Sequence, residues 1–171
     1  WSPDPRLVLL PDELRISRSL RKPLRRRHFE VRVDSAFSMV IAACAAPRAP
    51  ALGTWISAEM RAAYLAMHEL GYAHAIECWR EGELAGGLYG VCLYRMFFGA
   101  SMSTLVTDAS EVASAALVDH ALLPRIGAID CQMTTAHLLR FGARERDRPA
   151  FQALLDEFID HCRPQKKWRL P

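Results

Sequence analysis

The chain has no long apolar run. A membrane-crossing helix needs roughly 20 consecutive apolar residues, and every apolar stretch in these 171 residues is broken well short of that. Cysteine is sparse and badly spaced for joint work. Cys44, Cys78, Cys92, Cys131 and Cys162 are odd in number and contain no Cys-x-x-Cys pair. Neither a disulfide framework nor a zinc site is suggested by that spacing. The cysteines read as small buried hydrophobes, and a reducing cytosol is the expected compartment. No charge of one sign dominates: 22 Lys and Arg stand against 19 Asp and Glu. No secretory leader is expected, and the sequence has no internal repeat and no low-complexity segment. Gly86, Gly87 and Gly90 are not followed by Lys-Ser/Thr and do not open a helix, so they form no phosphate loop. Close backbone approach beside a strand is their expected use. The chain also opens on Trp1 rather than Met, within what reads as a motif, so an upstream segment is expected to have been removed.

What is present is enough for a folded core. Hydrophobic residues make up 51% and charged residues 24%, which excludes disorder as the main state. One domain over 1–171 is expected, with 163–171 as a tail. Leu7 to Leu10 reads as a strand. Ser17 reads as the cap of a short helix limited by Pro23. Phe29, Val31 and Val33 alternate as in a half-buried strand. Asp34 stands where a helix cap belongs, before Phe37, Val40, Ile41 and Cys44 at helical spacing. Pro47 to Gly53 is a loop. Ser57 caps a helix striped by Met60, Ala63, Tyr64, Met67 and Leu70 and ended by Gly71. Ala73 to Trp79, the Glu81-Gly82 turn and Glu83 to Val91 form a hairpin. A strand over 95–102, a helix opened by Asp108 and Glu111 and running to about Leu122, a strand over 128–132 and a helix from Thr134 to Phe141 follow. Pro149 opens the last helix. Helices flank a central run of strands, so the class is α/β or α+β with a mixed sheet.

Several segments together resemble the leucyl/phenylalanyl-tRNA–protein transferase family. They are Trp1-Ser-Pro-Asp-Pro-Arg6, Ile16-Ser-Arg-Ser-Leu20, Gly53-Thr-Trp-Ile56, Tyr72-Ala-His-Ala-Ile-Glu-Cys-Trp79, Gly86-Gly-Leu-Tyr-Gly90, Phe97-Phe-Gly-Ala-Ser-Met102 and Ile129-Asp-Cys-Gln132. His137-Leu138 and Gly142-Ala143 follow in the family's order. The resemblance implies an acyl-CoA N-acyltransferase-like (GNAT-like) fold. It implies a cytoplasmic, monomeric enzyme that moves leucine or phenylalanine from aminoacyl-tRNA to a protein beginning with Arg or Lys, marking that protein for degradation. It implies no cofactor and no metal.

The chemistry follows from the substrates. An aminoacyl ester is already activated, so neither ATP nor a metal is required. The attacking α-amine has a pKa of roughly 8 and must shed a proton at neutral pH. The site must also stabilise an oxyanion and align two large substrates. Asp130 and Gln132 are two apart on a predicted strand, so their side chains share a face, with Cys131 turned to the core. A carboxylate beside an amide suits the orientation of an amine. The Gln132 amide is no general base, so it positions. Asp130 either holds Gln132 in its working rotamer or takes the proton. A purely structural reading has Asp130 capping the next helix and Gln132 satisfying backbone groups.

Arg15, Arg18, Arg21, Lys22, Arg25, Arg26, Arg27 and Arg32 crowd one segment, with Glu30 the lone acid from Ile16 onward. Such density supplies phosphate contacts, which carry affinity rather than sequence reading, and the bland alternative is a solvated helix and turn. Trp55 reads two ways, as a stacking plane for the terminal adenosine, which the resemblance implies, or as a core residue. Trp79 reads as core. Glu77 is a candidate for meeting the cationic acceptor N-terminus, or else a satisfied rim carboxylate. His74 and His137 read as hydrogen-bonded structural residues. Leu88, Phe97, Leu117 and Ile129 match the family's pocket for Leu or Phe; core packing would look the same.

Some motif positions depart from the family. Ala100 stands for Glu, Ser103 for Phe, Glu111 for Lys, Ser114 for Leu, Ala75 for Ser and Tyr94 for Gly. Ala100, Ser103 and Ser114 are expected to leave the aminoacyl site more open and more polar. An alternative is therefore a relative that keeps RNA binding without efficient turnover. An acyl-CoA acetyltransferase is a third reading, disfavoured because no Gly-rich turn enters a helix to hold pyrophosphate.

Overall fold

The period-two and period-3.6 stretches become strands and helices in one sheet-centred layer arrangement. The structure, a computed structural model, describes residues 3–25, 28–46, 54–118, 126–159 and 168. Among these, β1 is Arg6–Leu9, β2 Glu30–Val33, β3 Ala73–Arg80, β4 Glu83–Leu93, β5 Met96–Thr104, β6 Ala128–Gln132 and β7 Arg144–Arg146. The helices are α1 Arg18–Arg25, α2 Phe37–Ala45, α3 Ala58–Glu69, α4 Ala109–Val118, α5 Ala136–Arg140 and α6 Arg148–Phe158. The seven strands form one sheet in the order β2-β3-β4-β5-β6-β1-β7. β5 and β6 run parallel and the other neighbours antiparallel. A mixed sheet flanked by helices is the expected α/β class and is consistent with the GNAT-like acyltransferase fold.

Local chemistry sets the boundaries. Glu81 and Gly82 both take positive φ, 54° and 84°, the turn a two-residue hairpin needs. Ser57 accepts the N–H of Met60 and Ser17 that of Leu20, so both cap their helices as expected. Asp147 does the same for α6, accepting from Ala150. Gly71, at φ 80°, follows the last turn of α3. The bare backbone of Gly90 lets the Phe97 ring lie against it. A Cβ there would meet the Phe98 carbonyl oxygen at 2.3 Å and the ring at 2.6 Å.

Side chains alternate across the sheet and bury on both faces. On β3, Ile76 and Cys78 join the core beneath α1 and α4, while Ala73 and Ala75 join the one beneath α2 and α3. Val8, Met96 and Ala128 pack against Phe151 and Phe158 of α6.

Several expectations need correcting. Asp34 does not cap α2. It turns inward at φ 54°, and its carboxylate accepts from His74 Nδ1 at 2.7 Å, Ala75 N at 2.9 Å and Trp168 N at 2.7 Å. The free end of α2 is met instead by Glu77, which accepts the N–H of Ala36 at 2.7 Å and the Ser35 hydroxyl. α1 continues to Arg25, past Pro23. Within the stretch read as a tail, Trp168 is 1% exposed and stacks on the His74 imidazole at 4.1 Å. Its indole and Asp34 tie the end of the chain to the core. Residues 163–167 and 169–171 lie outside the described residues, as do 119–122 of the fourth predicted helix. Leu70 is 64% exposed, so the stripe of α3 ends at Met67. β7 and a 3-10 turn at Pro11–Glu13 carry no period long enough to be foreseen.

Candidate active site

β6 ends in a bulge. Adjacent residues Val8 and Leu7 of β1 pair with Asp130 and Gln132, two apart on β6. Gln132 then takes φ 65°, a left-handed conformation rare for a residue with a side chain. The bulge breaks the simple alternation behind the shared-face argument, yet Asp130 and Gln132 both line one cleft. The two are also coupled directly. Asp130 is fully buried, and its Oδ1 accepts the backbone N–H of Gln132 at 2.9 Å. The Gln132 side chain donates Nε2 to the carbonyl of Gly99 on β5 at 2.7 Å. That bond fixes the amide and leaves its Oε1 as an acceptor with no partner among the described residues. The helix after β6 is capped by Thr135, which accepts from Leu138. The reading in which Asp130 is that cap is removed.

Beside Gln132 lies a cleft of about 320 Å³. Leu88, Phe97, Ala100, Ser114, Leu117 and Ile129 line it, as expected. Sequence reasoning missed Leu9, Tyr89, Met102, Leu138 and Phe141, which also line it. Each sits in an ordinary apolar pattern, so nothing in the sequence marks it as wall rather than core. Ser103 is a correction. It is buried, lies outside the lining, and its hydroxyl has no partner among the described residues. Its neighbour across the sheet is Gly87.

Cys131 is half-buried, packs against the core as expected and also lines the cleft. It is no nucleophile. Burial first, and the Asp130 charge second, push its thiol up to about 12, so it is held protonated at neutral pH. At the rim, His137 Nδ1 lies 3.3 Å from Glu111, and both side chains are about one-third exposed. His74 is buried away from the cleft, on Asp34 and Trp168.

Glu77 is fully buried. It accepts from Ser35, Ala36 and Trp79 Nε1. A carboxylate with no exposed surface has no face for an acceptor N-terminus, so that expectation is withdrawn. Trp79 is core, 8% exposed, with the Arg32 guanidinium 4.6 Å from its ring centroid. Trp55 is 57% exposed, which removes its core reading. Arg15, Arg18 and Arg21 are exposed. Arg26, and the side chains of Lys22 and Arg25, lie outside the described residues. The basic segment adjoins the cleft, because Arg15 N donates at 2.8 Å to the carbonyl of Phe141, a wall residue.

An apolar cleft ending on a pinned amide, in a mixed sheet of this type, is consistent with an acyltransferase-like protein. A family model described as leucyl/phenylalanyl-tRNA protein transferase matches residues 8–156. The leucyl/phenylalanyl-tRNA–protein transferase of Azoarcus sp. (strain BH72) is 58% identical over 168 residues, covering 98% of this chain and 72% of its own. That of Aromatoleum aromaticum is 58% identical over 170 residues, 98% and 71%. That of Chromobacterium violaceum is 52% identical over 168 residues, 98% and 72%. The chain belongs to the leucyl/phenylalanyl-tRNA–protein transferase family. Among the described residues no helix is long and apolar enough to cross a membrane, and no cluster of His, Cys, Asp and Glu could hold a metal ion.

Proposed function

We propose that this chain transfers leucine or phenylalanine from aminoacyl-tRNA to the N-terminal Arg or Lys of a protein in the cytoplasm, as a monomer. The observation that carries the reading is the Gln132 amide, held by Asp130 and Gly99 beside an apolar cleft. A volume of about 320 Å³ is at the small end for ligand sites, and suits one apolar side chain with its ester. In the reaction the acceptor amine attacks the ester carbonyl, the C–N bond forms and the C–O bond to the tRNA ribose breaks. The departing oxygen takes up a proton as the amine gives one up. Gln132 Oε1 accepts from the incoming N–H and aims its lone pair. Asp130, buried and fully engaged, holds Gln132 rather than taking the proton.

Exposed Arg15, Arg18 and Arg21 supply phosphate contacts that are indifferent to tRNA identity. Trp55 offers its exposed ring for stacking against a base. The test is transfer of labelled Phe from Phe-tRNA to a peptide beginning with Arg. Binding of the tRNA without peptide-bond formation would favour the non-catalytic RNA-binding reading, which the departures at Ala100, Glu111 and Ser114 keep in play.

A further inference from the structure

The guanidinium of Arg6 stands behind Asp130. We propose that Arg6 is a positioning residue of the transfer reaction, acting through Asp130 on the Gln132 amide. The inference rests on the transferase reading of this cleft and adds a residue to it.

Arg6 is the first residue of β1, the strand antiparallel to β6. Its Nε donates to Asp130 Oδ1 at 2.9 Å and its Nη2 to Oδ2 at 2.6 Å. Two parallel bonds from a planar fork fix the carboxylate in rotation as well as position. The guanidinium is itself clamped, 5.5 Å from the centroid of the Phe151 ring on α6. The side chains are 15% and 0% exposed. The other arginine–carboxylate contacts among the described residues are more exposed, the least so being Arg146–Glu13 at 27% and 14%. Arg32–Glu30 is 40% and 64% exposed, and Arg144 reaches Glu13 from a side chain 57% exposed.

The bonds then run in series. Oδ1 accepts from Arg6 Nε and also from the backbone N–H of Gln132. That N–H belongs to the residue at φ 65° in the bulge. The Gln132 side chain reaches Gly99 at 2.7 Å from this backbone. The carboxylate is thus a bracket between a clamped cation and a strained backbone turn. Without the fork it can rotate, the bulge loses its anchor, and the amide oxygen no longer holds one direction toward the cleft. A misplacement of about 1 Å at such a group can cost on the order of 10²-fold in rate. Lysine keeps the charge but, as a point charge on a flexible stem, cannot fix the carboxylate plane.

The test compares Arg6→Lys and Arg6→Ala with the parent, using single-turnover transfer of Phe from Phe-tRNA to an Arg-starting peptide. Melting temperatures and the KM for Phe-tRNA are measured alongside. Arg6→Lys is expected to keep its melting temperature and KM while kcat falls at least tenfold. A merely structural role would leave kcat in step with stability. Arg6→Ala is expected to recover transfer saturably with millimolar guanidinium and not with sodium. Should Arg6→Lys lose stability too, rescue of Arg6→Ala below its melting temperature decides: saturable recovery upholds the role and none overturns it. Parent-like kcat in a folded Arg6→Lys protein overturns the proposal and leaves the transferase reading intact. A parent that binds tRNA and forms no peptide bond overturns both.

Discussion

Replacing Trp168 by alanine should cost stability far beyond what an end-of-chain residue normally does. The indole is 1% exposed, stacks on His74 with the rings 6° from parallel, and lies 5.9 Å from the Phe97 ring. Truncating a buried Trp or Phe to alanine costs about 3–5 kcal/mol, and aromatic stacking is worth about 0.5–1.5 kcal/mol of interaction beyond area burial. The backbone bond to Asp34 survives in the variant, so its contribution stays out of the sum. About 4 kcal/mol lowers the melting temperature of a domain this size by roughly 8–16 °C. Urea and thermal unfolding followed by far-ultraviolet circular dichroism would measure both numbers, with Trp168→Phe falling between parent and alanine. A loss under about 1 kcal/mol in Trp168→Ala would refute the claim that this residue closes the core. The variant should also select less sharply between Leu and alanine on tRNA. Phe97 loses its backing, and Phe97 is a cleft wall.

Gln132→Ala and Asp130→Ala should each slow transfer at least tenfold, about 1.4 kcal/mol of barrier, with parent-like rates removing either from the mechanism. Reversing the charge of Arg15, Arg18 and Arg21 should weaken tRNA binding and flatten its salt dependence, leaving the preference between attached amino acids unchanged; affinity insensitive to salt in the parent would place the tRNA surface elsewhere. Stability should fall steadily above pH 9. Burial pushes the thiols of Cys78, Cys92 and Cys131 up to about 12 from 9.0, so the folded state is the one that keeps the protons. The contribution is intact below pH 9 and is lost progressively as pH rises from 9 toward 12. A urea midpoint that stays flat from pH 9 to 11 would contradict this.

The fold was legible wherever one period governed a long segment. The Ala73–Arg80 and Glu83–Leu93 hairpin needed only alternation and a Glu-Gly turn, and α3 only its Ser57 cap and closing Gly71. Legibility failed where a side chain works across the sheet rather than along it. Asp34 and Glu77 occupy opposite roles from those their sequence positions suggest. The carboxylate three residues before α2 holds Trp168, and the carboxylate on β3 accepts from Ala36 at the start of α2, because strand pairing brings Glu77 opposite Arg32 and under the helix start. The site was legible as a motif and not as a geometry. Ile129 to Gln132 marked the place, but the bulge that couples Asp130 to Gln132 depends on how β1 meets β6, which no local pattern encodes. Arg6 shows the same limit. Its partner is 124 positions away, and the sequence offers only its membership of the Trp1–Arg6 motif.

The departures from the family pattern divide by location, and the division bears on what they do. Ser103 is buried away from the cleft, and Ala75 is fully buried between the sheet and α2. Both alter packing. Tyr94 occupies a left-handed turn at φ 55° where the family has glycine, which loads strain on the β4–β5 connection. Only three reach the substrate side. Ala100 and Ser114 line the cleft, and Glu111 stands at its rim beside His137. None of the six is Arg6, Asp130, Gln132 or Gly99, so the chain of bonds that aims the amide is whole. In the proposed mechanism these three departures fall on the wall that would hold the aminoacyl group, and the residues that would orient the amine are spared. Interactions that hold a substrate equally in ground and transition states affect KM, whereas those made only at the reacting atoms affect kcat. On the mechanism proposed above, losing a carboxylate and an apolar wall from the holding side is expected to raise the KM for aminoacyl-tRNA, while the Gln132 bracket leaves the kcat for whatever is bound near that of a relative without these changes; a parent-like KM with a depressed kcat would refute this division.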